Sequence, residues 1–407
     1  MRIAFDGTTL RPGRTGVGYY TEHLLHHLAV EAVDDEVIVV SNQGVQTSTP
    51  LPSRVRVAKG YASPLRLPLM QIVAPRMLDE LDADVAHFTN SAVPLASPVP
   101  TVVTIHDMSL TLFPAYHPVR RVLVNRPLAN LAARRVDAII TVSHSARRDI
   151  LRLYNVPADR VRVVHEAAAP AFLPVDDAAT LERVRRRYTL PEPFILYVGT
   201  IEPRKNLPRL LEAFARRHAA GDLPHALVLV GRYGWRARDV HRTVERLKLS
   251  GSVRFLGYVP FADLPAIYSL ADLFVFPSLH EGFGLPVMEA MACGTPAVVG
   301  RNSSLIEVAA DAADTVDPFD PVAIGDALVR VTRDRAHHDA LARSGLERAR
   351  AFSWRRAARE TLDVYRWVAE RAGTSPAIEP HPVAAGGLGF DELAPRHAVA
   401  ERRAPWA

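Results

Sequence analysis

A single cysteine, Cys293, stands in a chain of 407 residues. An internal disulfide framework is excluded, and the chain fits a reducing compartment. No stretch approaches the roughly 18 apolar residues that a membrane-spanning helix needs. The opening, MRIAFDGTTL, lacks the layout of a secretory signal, because its apolar run is short and Asp6 interrupts it. These absences predict a cytoplasmic protein. No strip interleaves aromatic with basic residues, so the net charge of +5, mostly from arginine, does not predict nucleic-acid binding. That charge is compatible with anionic ligands or an anionic membrane surface. Two cofactor signatures are missing as well. The glycines after the first strand are not spaced G-x-G-x-x-G and no acid follows the second strand suitably, so the NAD fingerprint is absent. No Asp-x-Asp pair is placed to hold Mg²⁺.

What is present is ordinary globular material, 48% hydrophobic and 23% charged, enough for two full cores. Short runs rich in Val, Ile or Thr read as strands: MRIAF, EVIVV, DVAHFT, TVVTI and DAIITVS. Amphipathic runs such as YYTEHLLHHLAV, VLVNRPLANLAARR and SARRDILRLY read as helices between them. The alternation predicts a parallel sheet covered on both faces. Period is lost at EAAAPAFLPVDD (166–177) and restarts with FILYVGT, NLPRLLEAFARRH, HALVLVG, VRFLGYV, DLFVFPS and PAVVG. The fold class is therefore α/β, with two doubly wound Rossmann-like domains facing across a cleft. The boundaries are an N-terminal domain over 1–170, a linker over 171–190 and a C-terminal domain over 191–352. An amphipathic helix over 353–372 follows, then a tail over 373–407 whose Pro, Gly, Ala and charge without period predict disorder.

Ligands of doubly wound sheets sit at the C-terminal ends of the strands, and four segments fall there. Gly13, Gly16 and Gly18 in RPGRTGVGYYTEHLL lie before a helix, where backbone N–H groups can meet an anion. Such a loop can equally be plain flexible chain. His106 and Asp107 follow the strand TVVTI. A lone histidine is more often structural than catalytic, and Asp107 can cap the next segment. In VGTIEPRKNL a strand ends at Gly199, Arg204 and Lys205 offer forked and point-charge donors suited to a diphosphate, and Asn206 is placed to cap the next helix. In HEGFGLPVMEA, Pro286 suits the start of a helix, and Glu289 falls near its first turn, where an acid favours the helix dipole by about 0.3–1 kcal/mol. The dipole does not account for Glu281.

The spacing Glu281–x₇–Glu289, together with VGTIEPRKNL, resembles the retaining glycosyltransferases of family 4, which have the GT-B fold. TGVGYYTEHLL and TIHDMSLTLFPAYHP are similar to their N-terminal domains, particularly those of bacterial mannosyltransferase-like members. The resemblance covers the chain to about residue 370. It implies that Arg204 and Lys205 bind the donor diphosphate, that Glu289 binds the nucleotide ribose and that Glu281 lies at the donor sugar hydroxyls. Phe283, Gly284 and Leu285 would contact sugar and phosphate, Gly16 and Gly18 would belong to the N-domain glycine loop, Gly199 to the donor-binding loop, and His106 would line the sugar pocket. The last helix would cross back to the N-domain. One departure is His165-Glu166, which replaces the Asn-Gly turn common in the family. The implied reaction moves a hexose from a nucleotide sugar to a glycan or lipid-linked acceptor without metal or other cofactor. GDP-mannose is the expected donor and UDP-hexoses are the alternative. A peripheral contact with the inner face of the membrane is compatible with this reading, and 64–78 (PLRLPLMQIVAPRML) could make it, although that segment reads first as cover for the core. An epimerase or phosphorylase on the same architecture, or a non-catalytic nucleotide-sugar-binding protein, are the rival readings. No phosphorylase cofactor lysine is marked, and all motif positions are filled.

Overall fold

The computed structural model describes residues 1–11, 16–41, 44–58 and 66–374. Gly13, residues 64–65 of the apolar patch and nearly all of the 373–407 tail lie outside them.

The first sheet holds β1 (Arg2–Asp6), β2 (Glu36–Val40), β3 (Val55–Val57), β4 (Val85–Phe88), β5 (Thr101–Ile105), β6 (Ala138–Thr141) and β7 (Val161–Val163) in the order β3-β2-β1-β4-β5-β6-β7. Every pairing is parallel. The two-residue period of a strand assigns side chains to faces. Ile3 and Phe5 pack with Tyr20, Leu24 and Leu28 of α1 (Gly16–Glu31). Ala4, between them, packs on the other face with Met70 and Leu78 of α2 (Arg66–Glu80). Between β5 and β7 come the short α3 (Ser109–Leu112), α4 (Val119–Arg135) and α5 (His144–Tyr154).

The second sheet holds β8 (Phe194–Val198), β9 (Ala226–Val230), β10 (Val253–Gly257), β11 (Leu273–Phe276), β12 (Ala297–Gly300) and β13 (Asp314–Val316) in the order β10-β9-β8-β11-β12-β13, again all parallel. Its helices are α6 (Ala178–Tyr188), α7 (Leu207–Ala219), α8 (Ala237–Arg246), α9 (Leu264–Leu270), α10 (Leu285–Ala292), α11 (Ser303–Ala309), α12 (Pro321–Arg333) and α13 (Arg335–Arg350). Within the segment read as linker, α6 packs on α9, and Val184 is buried in the C-terminal core beside Leu190 and Phe194.

The chain returns through α14 (Trp354–Thr374), which packs on α1 of the N-terminal half. Ala358, Leu362 and Tyr365 enter the core around Phe5. A buried polar chain accompanies them: the Tyr365 hydroxyl lies 2.5 Å from His87 Nδ1, and His87 Nε2 lies 2.8 Å from the Thr104 hydroxyl. Burial pushes the His87 pKa down to about 3, so the ring is neutral and can donate at one nitrogen and accept at the other. At the surface Glu31 pairs with Arg355 and Arg359 of α14, each at 2.5 Å. Among the described residues no helix is long and apolar enough to cross a membrane.

Strand order reverses direction between β1 and β4 in the first sheet and between β8 and β11 in the second. These switch points open crevices beyond the strand ends, and the loops after β8 and β11 carry Arg204, Lys205 and Glu281 into the second of them.

Candidate active site

The loop after β8 leaves the sheet at Gly199 because the neighbouring backbone is close. A Cβ on Gly231, after β9, would lie 1.9 Å from the Gly199 carbonyl oxygen. Pro203–Lys205 then forms one turn of 3₁₀ helix, and Asn206 takes a left-handed conformation, φ 63°. Asn206 does not cap α7 as its position suggests. Its side-chain amide instead donates to the carbonyls of Pro277 (3.0 Å) and Pro318 (2.6 Å). Leu279 N–H donates to the Arg204 carbonyl at 2.9 Å. These bonds tie the β8 loop to the loops after β11 and β13 and bring three sequence-predicted residues together.

Glu281 is the centre of that cluster. Its Oε1 accepts from Lys205 Nζ at 2.6 Å and from the Ser278 hydroxyl at 2.5 Å, and its Oε2 accepts from Arg204 Nη1 at 2.9 Å. Arg204 also bonds Glu202, at 3.1 Å, and the His280 carbonyl. Burial alone would raise the Glu281 pKa, but Arg204 and Lys205 outweigh it and hold the carboxyl at about 2. Burial likewise opposes the charge on Arg204, and Glu281, Asp107 and Glu202 together hold its pKa above the ordinary value. Lys205 Nζ also lies 4.9 Å from the Phe276 ring centre. Arg204 Nε is buried and has no partner among the described residues.

Residues of the first sheet meet this cluster across the gap. Gly282 abuts the main chain of His106: a Cβ there would lie 2.0 Å from the His106 carbonyl oxygen. The Ser143 hydroxyl donates to the Gly282 carbonyl at 2.7 Å and also caps α5, accepting from Ala146 N–H. Asp107 accepts from the Ser109 N–H (2.9 Å) and hydroxyl (2.6 Å), opening α3. Burial would raise its pKa, but Arg204 and Ser109 hold it well below the usual carboxylate range. The His106 ring is engaged at both nitrogens, with Glu166 Oε1 at 3.2 Å and the Thr89 carbonyl at 3.0 Å. Both partners are acceptors, so the ring donates twice as an imidazolium. Burial opposes that charge, yet Glu166 prevails and the His106 pKa is raised.

Helix α10 begins with Gly284 as N-cap at φ 107°. Glu289 falls in its second turn rather than its first, so the helix dipole does not account for it. Its Oε2 accepts from the Tyr268 hydroxyl at 2.8 Å. The residue is half-buried, and burial pushes its pKa up to about 7 against the opposing bond from Tyr268. Phe283 is buried with Met288 in the core shared with α14, while Leu285 packs at its edge. The Ser304 hydroxyl sits 3.0 Å from the Glu281 carbonyl and 2.8 Å from that of Phe283. Gly16 and Gly18 lie in the first turn of α1 rather than in a loop ahead of it. A cavity of about 290 Å³ lies not at this cluster but beside His144, His165 and Glu307. The sequence reading missed Ser278, the bond from Ser143 to Gly282 and the coupling of Asp107 to Arg204. Ser278, two residues past a strand at a switch point, carried a usable positional signal.

Two doubly wound parallel sheets joined by a return helix are the GT-B architecture of glycosyltransferases. The sucrose-phosphate synthase of Thermosynechococcus elongatus has the same fold, with a TM-score of 0.73 at 23% identity over 91% of this chain and 99% of that one. Residues 14–170 match the model of Glycosyltransferase Family 4, and residues 182–348 that of Glycosyl transferases group 1. Over 382 residues the chain is 32% identical to the O-antigen chain mannosyltransferase B of Escherichia coli, covering 90% of this chain and all of that protein. It is 31% identical over 259 residues to the serotype-specific mannosyltransferase WbdA of Escherichia coli, covering 62% of this chain but 32% of WbdA. The chain belongs to glycosyltransferase family 4. It is an enzyme of the hexosyltransferase class.

Proposed function

We propose that the enzyme transfers mannose from GDP-mannose to a glycan or lipid-linked acceptor with retention of anomeric configuration. The observation that carries this reading is the Arg204–Lys205–Glu281 cluster at the β8/β11 switch point, where buried Arg204 Nε has no acceptor among the described residues. A diphosphate oxygen supplies one. As the sugar–phosphate bond breaks, negative charge grows on the diphosphate, and two fixed cations in a dry site stabilise it without reorganising. They supply the charge that a metal would otherwise bring. Glu281 holds both cations in place and lies within reach of sugar hydroxyls. With both its oxygens engaged, it is poorly disposed as a covalent nucleophile. The transfer therefore runs on one face: the C1–phosphate bond breaks, the acceptor oxygen bonds C1 from the same side, and its proton passes to the leaving phosphate oxygen. Mannose as the sugar rests on the named activity of the Escherichia coli relatives.

Thermal unfolding in the presence of GDP, UDP and their sugar conjugates tests the donor. A ligand at 100 times its Kd stabilises by about 2.7 kcal/mol. GDP and GDP-mannose should raise Tm, and a shift with UDP alone would replace the donor assignment with a UDP-hexose. NMR of the first-formed product settles the anomeric outcome, and an inverted product would end the same-face mechanism.

Glu289 gives the donor affinity a pH dependence. As the proposed ribose ligand it acts as a carboxylate accepting from two hydroxyls, and it is half ionised near pH 7. Donor affinity should rise about tenfold between pH 6 and pH 8 as the carboxylate fills. The stability of the free enzyme runs the other way. A folded pKa above the unfolded value contributes stability that is present below about 4.5 and lost as pH rises through about 7. Glu289→Gln should abolish both trends and weaken donor binding about 10- to 100-fold, the range for hydrogen bonds to a charged group. A pH-independent donor Kd in the unsubstituted enzyme would contradict this.

The acceptor side has its own support. Helix α4 exposes Val119, Leu123, Val124 and Leu131 among five arginines and no acid. This face suits an anionic bilayer that presents a lipid-linked acceptor, better than the 64–78 segment, where Ile72 is the large apolar side chain described as exposed. Phosphatidylglycerol vesicles should co-sediment the enzyme and neutral vesicles should not. If Leu123→Glu leaves that binding intact, α4 is not the contact.

A further inference from the structure

We propose that His144, His165 and Glu307 form a binding site for a borderline divalent transition metal, typified by Zn²⁺, that fastens the two domains together. Its ligands come from three places in the fold. His144 is the first residue of α5 in the N-terminal domain, His165 follows β7 in the crossing segment, and Glu307 lies on α11 of the C-terminal domain. One ligating atom from each lies within 4.8 Å of the other two. Tetrahedral Zn²⁺ with bonds of about 2.0–2.2 Å spaces its ligands about 3.4 Å apart. Rotation of the exposed His144 side chain and opening of the 2.7 Å contact between His165 and Glu307 to ligand spacing are the adjustments required.

The other two ligands are already held. His165 Nε2 lies 2.7 Å from Glu307 Oε1. The Glu307 carboxylate accepts from the backbone N–H of His144 at 2.9 Å and of Ser145 at 3.0 Å, which fixes its orientation as a supporting shell would. The His165 ring packs edge-on against Phe352, with centroids 5.5 Å apart. The neighbouring cations are committed elsewhere: Arg348 donates to the carbonyls of Val308 and Glu307, and Arg356 pairs with Glu360 at 2.7 Å. The adjoining cavity of about 290 Å³ leaves room for water as a fourth ligand. Two imidazoles and one carboxylate select a borderline metal over Mg²⁺, which prefers oxygen.

The full chain, freed of metal by chelation, is titrated with Zn²⁺ by calorimetry and followed by thermal unfolding. One equivalent should bind and raise Tm, and Mg²⁺ should do neither. His144→Ala, an exposed position whose fold is checked by circular dichroism, should lose at least tenfold in Zn²⁺ affinity, as should Glu307→Gln. Small-angle scattering should show Zn²⁺ narrowing the size distribution of the unsubstituted enzyme but not of His144→Ala. Equal Zn²⁺ binding by the unsubstituted enzyme and His144→Ala, or no binding by either, overturns the proposal.

Discussion

Replacing Arg204 and Lys205 together by alanine should lower kcat/KM by about three to four orders of magnitude. Each fixed donor aimed at developing charge is worth about 10²–10³ in kcat. The two effects do not multiply fully, because both cations share Glu281. That sharing also endangers the fold. Removing both partners strips the buried Glu281 carboxylate of the two cations that hold it at about pKa 2, and breaking a buried pair costs about 3–5 kcal/mol. Two companions separate the causes. Adding Glu281→Gln to the double substitution removes the stranded charge, so stability should return while turnover does not. Arg204→Lys keeps the charge but loses the planar fork that spans Glu281, Glu202 and the His280 carbonyl. It should fold normally and lose mainly kcat. Single-turnover rates and thermal melts on each variant provide the comparison. A folded double-alanine variant with full turnover would remove the cluster from the chemistry.

The sequence made this cluster legible in its members but not in its connections. Arg204, Lys205 and Glu281 could each be placed at a strand's C-terminal end by period and turn chemistry alone. Their ion pairing needs the β8 and β11 loops zipped together, and the zipper is Asn206, whose sequence position looks like an ordinary helix cap. Its left-handed backbone aims the amide at two proline carbonyls instead. The same limit explains the missed strands β3, β7 and β13. Each is three residues long and lies at a sheet edge, too short for a two-residue period to show. Glu289 lies in the second turn, one residue deeper than a start at Pro286 implies, because the helix starts at Leu285, set by the left-handed Gly284. His106 was legible as a cleft residue, while its engagement with Glu166 and Thr89 depends on segments 60 and 17 residues away in the chain.

Gly282→Ala should lower kcat by about 10² or more while leaving both cores folded. Gly282 belongs to neither core, and its Cα faces the other domain. A methyl there would meet the His106 carbonyl oxygen at 2.0 Å, its carbon at 2.8 Å and Asp107 Cβ at 3.1 Å. Backbone atoms cannot rotate aside as a flexible side chain can, so the domains must separate by more than an ångström at this point. The contact lies between Glu281, which orients the cations, and His106–Asp107, which bring the N-terminal side of the site to them. A displacement of about 1 Å in a reacting constellation costs about 10² in rate. The loss should appear in kcat more than in the affinity for the free nucleotide, whose proposed contacts, Arg204, Lys205 and Glu289, all lie on the C-terminal side. Gly251→Ala, where a Cβ meets nothing within 4 Å, is the control for the generic effect of adding a methyl. Small-angle scattering should show a larger radius of gyration for Gly282→Ala than for Gly251→Ala when nucleotide is bound. A Gly282→Ala enzyme with unaltered kcat would mean that turnover does not pass through the closed contact between Gly282 and His106.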